Sequence, residues 1–260
     1  MHPTERTFLF LQGPHGPFFR RLARALNAVG AKTLRVGFNR GDRAFWPDGA
    51  TYIAQTDPLD TWPDNAARIM AEHGITDLVV YGDTRPIHAT AIAHARRRGI
   101  TVHVFEEGYL RPYWITYERG GSNGHSPLMD TPVDDMRRAL DGADMDLPDA
   151  PARWGALRQH VFYGALYHGL VLVANRRYAA VKPHRALTVR QEFRLYLKRL
   201  GLMTWHWLER VAPTRAILRG SYPYRLALLQ LEHDASLRDH GPFASQSDFV
   251  ETVIEGFAAG

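Results

Sequence analysis

Two adjacent carboxylates, Glu106 and Glu107, lie in the stretch VFEEGYLRP (104–112), where an apolar run meets a glycine, a tyrosine, an arginine and a proline. Like charges this close repel, so the pair must be separated onto the two sides of a strand or offset by cations. A carboxylate held in this way suits the work of a general base, or of a nucleophile toward the anomeric carbon of a sugar. The same pair would also serve a purely structural network with Arg85 or Arg111. A second cluster, GDTRP (82–86), sets Asp83 and Arg85 around a turn, with Pro86 opening a helix and His88 in its first turn. Either Asp83 caps that helix and Arg85 pairs with a carboxylate, or both groups face the same crevice as the glutamates.

Two more polar loops carry candidate groups. In QGPHGP (12–17), Gly13, His15 and Gly16 make a tight turn at a helix N-terminus. It either presents backbone N–H groups to an anion or is an ordinary connection. The NRGD loop (39–42) ends in Asp42.

Several literal motifs are set aside. Gly120–Gly124 (GGSNG) fits the nucleophile elbow of α/β-hydrolases, but that motif needs a following helix and HSPLMDTP is none. Asp144-Met145-Asp146 reads as a solvated linker rather than a metal-binding pair. The 13 histidines include no HExxH and no facing pair one helical turn apart, so no metal site is expected. No phosphate-binding glycine signature is present.

The elements that must position these groups alternate. Thr7–Leu11, Thr33–Phe38, Asp77–Tyr81 and Thr101–Phe105 read as strands, and Phe18–Val29, Asn65–His73 and Ile87–Arg98 as helices. Such repeats imply an α/β fold with a Rossmann-like parallel sheet, which binds ligands beyond the carboxyl ends of its strands. The four polar loops all fall there. Residues 1–150 are therefore expected to form this domain and 151–220 a helical, basic and aromatic segment. Residues 221–260, with a strand at Arg225–Leu231 and a helix from Ser247, read as the incomplete start of a second α/β domain. One strand and one helix cannot bury a core, so the chain is expected either to continue or to pack this remnant on the first domain.

Charge is unevenly spread across the 260 residues. Residues 1–150 carry 17 Lys and Arg against 19 Asp and Glu, whereas 151–225 carry 14 against 2. A surface of that sign, interleaved with Trp and Tyr, fits an anionic partner such as lipid headgroups. Nucleic acid would fit the charge but leaves the carboxylates unexplained. Zero cysteines exclude a disulfide framework, and neither a signal peptide nor a membrane-spanning run is evident, so a soluble cytoplasmic chain is expected.

Taken together, QGPHGPFFRRLA, YGDTRPIH, VFEEGYLRPYWITYERGGSNGHS and LQLEHDASLRDHGPF resemble the capsule polysaccharide synthesis family, in its KpsS/LipB-type members. The resemblance implies a retaining transferase of GT-B-like architecture. Such an enzyme moves β-linked Kdo, an anionic octulosonic sugar, from CMP-Kdo to a phosphatidylglycerol-type lipid at the inner face of the cytoplasmic membrane. It implies Glu107 as nucleophile with Glu106 as its neighbour, and Asp83 of the GDTRP turn is the third catalytic candidate. Substrate binding is expected from Gly13, His15, Gly16, Asp42, Arg85, His88, Tyr109, Arg111 and Asn123, with no metal or other cofactor. The family's nucleotide site lies in a C-terminal half that this sequence does not reach. A non-catalytic part in capsule assembly or export is the alternative.

Overall fold

A computed structural model describes residues 5–108, 114–143, 157–181, 188–220, 226–229 and 241–258. The chain divides into two compact units, 1–184 and 185–260. That division falls inside the segment 151–220 delineated by composition.

The first unit is built on a six-stranded sheet with the order β3-β2-β1-β4-β5-β6. Its strands are β1 (Thr7–Phe10), β2 (Lys32–Gly37), β3 (Tyr52–Ala54), β4 (Asp77–Tyr81), β5 (Thr101–Glu107) and β6 (Ile115–Arg119). All neighbours run parallel except β5 and β6, which are antiparallel. The central strands read as near-continuous apolar runs because both of their faces are covered. One face carries Leu9, Val36, Leu78, Val80, Val102 and Val104 onto α3 (Trp62–Glu72) and α4 (Pro86–Arg97). The other carries Phe8, Phe10 and Val79 onto Phe19 and Ala23 of α1 (Phe18–Ala28). The order reverses between β1 and β4, which makes that crevice the topological switch point where such sheets bind ligands.

The remaining helices of the first unit are α2 (Arg40–Ala44), α5 (Val133–Leu140) and α6 (Leu157–Ala174). The second unit holds α7 (Val189–Arg219), opened by a capping box at Thr188 and Gln191, and α8 (Gln246–Ala258). The strand expected at Arg225–Leu231 is not formed where it is described. Leu226–Leu229 have no regular structure and are exposed, and no neighbouring strand in the described part of this unit offers them a ladder.

Three further expectations are corrected. The NRGD loop is an Asn39 N-cap followed by α2, since the Asn39 side chain accepts from the Asp42 N–H. The loop expected to begin at Glu106 begins at Gly108, because β6 pairs with β5 as far as Glu107↔Ile115 and extends it. WITYERGGSNG, where no strand was expected, supplies that β6.

A polar chain ties the opposite end of the sheet. Asp77 accepts from Arg6, from the Thr76 hydroxyl at 2.6 Å and from His103 Nε2 at 2.7 Å, while His103 Nδ1 accepts from the Tyr117 hydroxyl at 2.8 Å. Burial would raise the Asp77 carboxyl, but the hydrogen bonds from His103, Arg6 and Thr76 outweigh it and hold the group well below the usual carboxylate range. A depressed carboxylate contributes stability above its unfolded value of about 4 and loses it as pH falls from there through the folded value. Urea titrations from pH 6 down to pH 2 should therefore show a steeper acid-side loss of stability in the native protein than in Asp77→Asn. In the core, Phe10→Ala, at a side chain with no exposed surface, should cost ~3–5 kcal/mol in the same assay.

Candidate functional site

The carboxyl ends of β1, β2, β4 and β5 converge on one rim, organised in a lower and an upper layer. The lower layer centres on Asp42, which has no exposed surface. Its Oδ1 accepts from Arg35 Nη2 and from the Tyr167 hydroxyl, both at 3.2 Å. Its Oδ2 accepts from Gln12 Nε2 at 3.2 Å and the Phe38 N–H at 2.9 Å. Asn39 donates to the same Tyr167 oxygen at 2.7 Å. Asp42, expected among the substrate-binding residues, is thus enclosed and braces the rim from below.

Tyr167 reaches this network because α6 lies close against α2. A Cβ on Gly41 would fall 2.5 Å from the Tyr167 ring, so only glycine admits the approach. Phe45 packs against Tyr163 and Tyr167, and the Tyr52 and Tyr178 hydroxyls bond at 2.9 Å. Burial raises the Tyr167 hydroxyl well above its ordinary value, with the nearby Asp42 charge adding to the effect, so it stays protonated and can donate to Asp42.

The β1 loop is held by the same helix. A Cβ on Gly13 would lie 2.5 Å from Phe19, Gly16 sits against Tyr163, and His15 packs beside Gly164 and His168. Across the switch point, Arg85 Nη1 donates to Gln12 Oε1 at 3.4 Å. His88, expected to face the crevice, is fully buried, and its Nδ1 donates to the Gly82 carbonyl at 2.7 Å to fix the turn after β4.

The upper layer is a turn that bridges the ends of β4 and β5. Asp83, 4% exposed, does not cap α4; its Oδ2 accepts the Ser122 N–H at 3.0 Å and His125 Nδ1 at 3.2 Å. Asn123 donates to Glu106 Oε2 at 2.6 Å from a backbone φ of 52°, the left-handed region that Asn tolerates better than most residues. A Cβ on Gly121 would meet the His125 carbonyl at 2.1 Å, so the turn closes only with glycine there. Ser126 donates to Glu118 of β6, anchoring the far side. Glu106 is half-buried under this turn, whereas Glu107, one residue on and pointing to the other side of the strand, is exposed.

The structure therefore brings Asp83, Glu106 and Asn123 together and adds Ser122, weighed in sequence only within GGSNG, and His125, which the sequence reading passed over. Ser122 is 1% exposed and followed by two short 3-10 turns rather than an α-helix, which rules out the elbow geometry of a hydrolase. Tyr109, Arg111 and the Asp144–Asp146 pair lie outside the described residues. Among the described residues, no group of three or more His, Asp or Glu side chains is placed to hold a metal ion.

The lower layer makes a checkable demand. Tyr167→Phe strips Asp42 of a donor and Asn39 of an acceptor, and urea unfolding should register ~1–3 kcal/mol. Gly41→Ala should cost more, because the new methyl must push the Tyr167 ring out of the same network.

Comparison with known proteins gives the family. A family described as "Capsule polysaccharide biosynthesis protein" matches residues 76–260, which include β4, β5, β6 and the bridging turn. The capsule polysaccharide export protein KpsS of Escherichia coli is 29% identical over 258 residues, covering 97% of this chain and 64% of that protein. The capsule polysaccharide modification protein LipB of Neisseria meningitidis serogroup A is 31% identical over 271 residues, covering 96% and 60%. LipB of a serogroup B strain is 30% identical over 256 residues with the same coverage. The chain thus spans less than two thirds of the length of these relatives, and it belongs to the capsule polysaccharide biosynthesis family.

Proposed function

We propose that the protein is a retaining glycosyltransferase of capsule biosynthesis in which Glu107 attacks the anomeric carbon of an activated sugar. The observation that carries this reading is the unequal treatment of two adjacent carboxylates at the end of β5. Asn123 holds Glu106 beneath the bridging turn, while Glu107 stands exposed at the rim. Retention by double displacement needs a carboxylate that can approach the anomeric carbon, and the second of the pair, exposed at the rim, suits that role. Arg85, beside Gln12 at the switch point, is suited to an anionic nucleotide or sugar carboxylate.

Donor and acceptor follow from the family resemblance: CMP-Kdo as donor and an anionic, phosphatidylglycerol-type lipid as acceptor. Features of the second unit favour a lipid surface. Helix α7 carries seven Arg and Lys against Glu192 and Glu209 and leaves Tyr196, Trp205 and Trp207 more than half exposed. That mixture suits the boundary of an anionic leaflet on its inner, cytoplasmic side. No helix among the described residues is long and apolar enough to cross a membrane.

Glu107→Gln should abolish sugar transfer from CMP-Kdo while the circular-dichroism spectrum and unfolding midpoint stay those of the native protein. Full activity in this variant would favour a non-catalytic role in capsule assembly or export. Sedimentation with vesicles should show binding to phosphatidylglycerol-containing membranes that weakens as salt rises from 50 to 500 mM, and little binding to neutral phosphatidylcholine. Equal binding to both would contradict the lipid-surface setting.

A further inference from the structure

The amino ends of the strands, opposite the rim, carry a second concave feature that the transferase reading does not use. A cavity of about 440 Å³ lies there, within the size range of small-ligand sites. Its walls include Arg6 before β1, Thr76 and Asp77 where β4 begins, Arg98 just after α4 and Arg119 at the end of β6. Asp77 is the only carboxylate among the lining residues, and it is already saturated. Arg6 donates to it through Nε and Nη2, and the Thr76 hydroxyl and His103 Nε2 donate as well.

The other two guanidiniums have no carboxylate. Among the described residues, the Arg98 side chain makes no hydrogen bond or ion pair, and Arg119 reaches only the Tyr117 hydroxyl, through Nε at 3.4 Å. Each has a local reason to be charged, since Arg98 follows a helix C-terminus, where cations favour the macrodipole, and Arg119 sits on an edge strand. Neither reason explains why both share a cavity with Arg6. The backbone forces that sharing. Gly99, at a φ of 67°, turns the chain from α4 into β5 with Arg98 at the corner. Arg96 Nη2 donates to the Gly120 carbonyl at 2.6 Å and the Gly120 N–H to the Val102 carbonyl at 2.9 Å, which ties the end of β6 to α4 and β5. Cations fixed around one cavity repel unless an anion lies between them.

We propose that this cavity binds the phosphate monoester of a small polar molecule, with the phosphate held by Arg98, Arg119 and the remaining Nη1 of Arg6. Planar guanidinium forks match phosphate oxygens. Three arginines less one carboxylate leave two positive charges, which balance the roughly −1.5 to −2 of a phosphate monoester at neutral pH. A phosphodiester such as a phospholipid head group carries one negative charge and would leave a cation unmatched. No aromatic side chain is among the lining residues, so nothing there stacks a nucleobase, and the space beyond a phosphate suits a carrier the size of a sugar. The bound molecule is no reactant of Glu107, because the seven residues of β5 put ~20 Å between the two ends of the sheet.

The test is calorimetric titration of the full chain, at ~150 mM salt and neutral pH, with inorganic phosphate, glucose 6-phosphate and phosphatidylglycerol vesicles. Glucose 6-phosphate should bind at one site and more tightly than inorganic phosphate. Arg98→Gln or Arg119→Gln should weaken it ~10-fold and the double variant ~100-fold, with circular dichroism unchanged because both residues are exposed. Arg6 is kept, since its loss would strand the buried Asp77. Arg68→Gln, an exposed arginine of α3 outside the cavity, should bind as the native chain does. No saturable binding of glucose 6-phosphate, binding that survives in the double variant, or equal loss in Arg68→Gln overturns the proposal. Inorganic phosphate binding as tightly as the ester overturns it in favour of the free ion. Vesicle binding that needs Arg98 and Arg119, with none of the soluble ester, overturns it in favour of a lipid head group. Sugar transfer does not enter the measurement, so the outcome is independent of the transferase reading.

Discussion

A parallel sheet covered on both faces imposes one constraint on everything else: the carboxyl ends of β1, β2, β4 and β5 must open on a single rim. Polar groups forced to that rim lose water, so each must find a partner in the protein or a ligand. The chain meets the demand in two layers. Asp42 takes four hydrogen bonds in the buried lower layer, and Asp83 takes two in the turn above. Removing one partner of the buried Arg35–Asp42 pair would strand the other charge, which is the costly way to break such a contact. The rim is therefore rigid where it is buried, and that rigidity lets one turn set both Glu106 and His125.

Much of this frame is legible in the sequence. The strands at Thr7, Thr33, Asp77 and Thr101 stand out because buried parallel strands need continuous apolar runs, and α1, α3 and α4 because one stripe of each faces the sheet. The separation of Glu106 from Glu107 follows from strand alternation alone, and the two residues do differ in exposure. What was not legible has equally physical causes. β6 alternates between exposed and half-buried residues on the sheet edge, so ITYER carries no apolar run to betray it. β3 has only three residues. The NRGD helix is short enough to read as a turn.

The site itself was only partly visible. Glu106, Glu107 and Asp83 sit at strand ends, which is how they were singled out, and Asn123 was named only with the family resemblance. Tyr167 lies 125 residues from Asp42 and Gln12 lies 30, and no local pattern predicts such contacts. His125 was not singled out although GGSNGHS was weighed as a hydrolase lookalike and quoted for the family resemblance. Two signals in that segment point to a functional turn: an asparagine suited to the left-handed region beside a glycine, and a histidine two residues on. His15 and His88, by contrast, are polar residues of apparent promise that the fold spends on packing against α6 and on fixing the Gly82 carbonyl.

The proposal of sugar transfer through a covalent intermediate draws on membership of the capsule polysaccharide biosynthesis family and on an exposed glutamate beside a clamped one. The anomeric configuration of the first-formed product tests that claim most directly. It can be read by NMR on product made from CMP-Kdo and a phosphatidylglycerol-type acceptor. Two displacements at the same carbon must give a product with the configuration of the donor. A product of inverted configuration would contradict nucleophilic attack by Glu107.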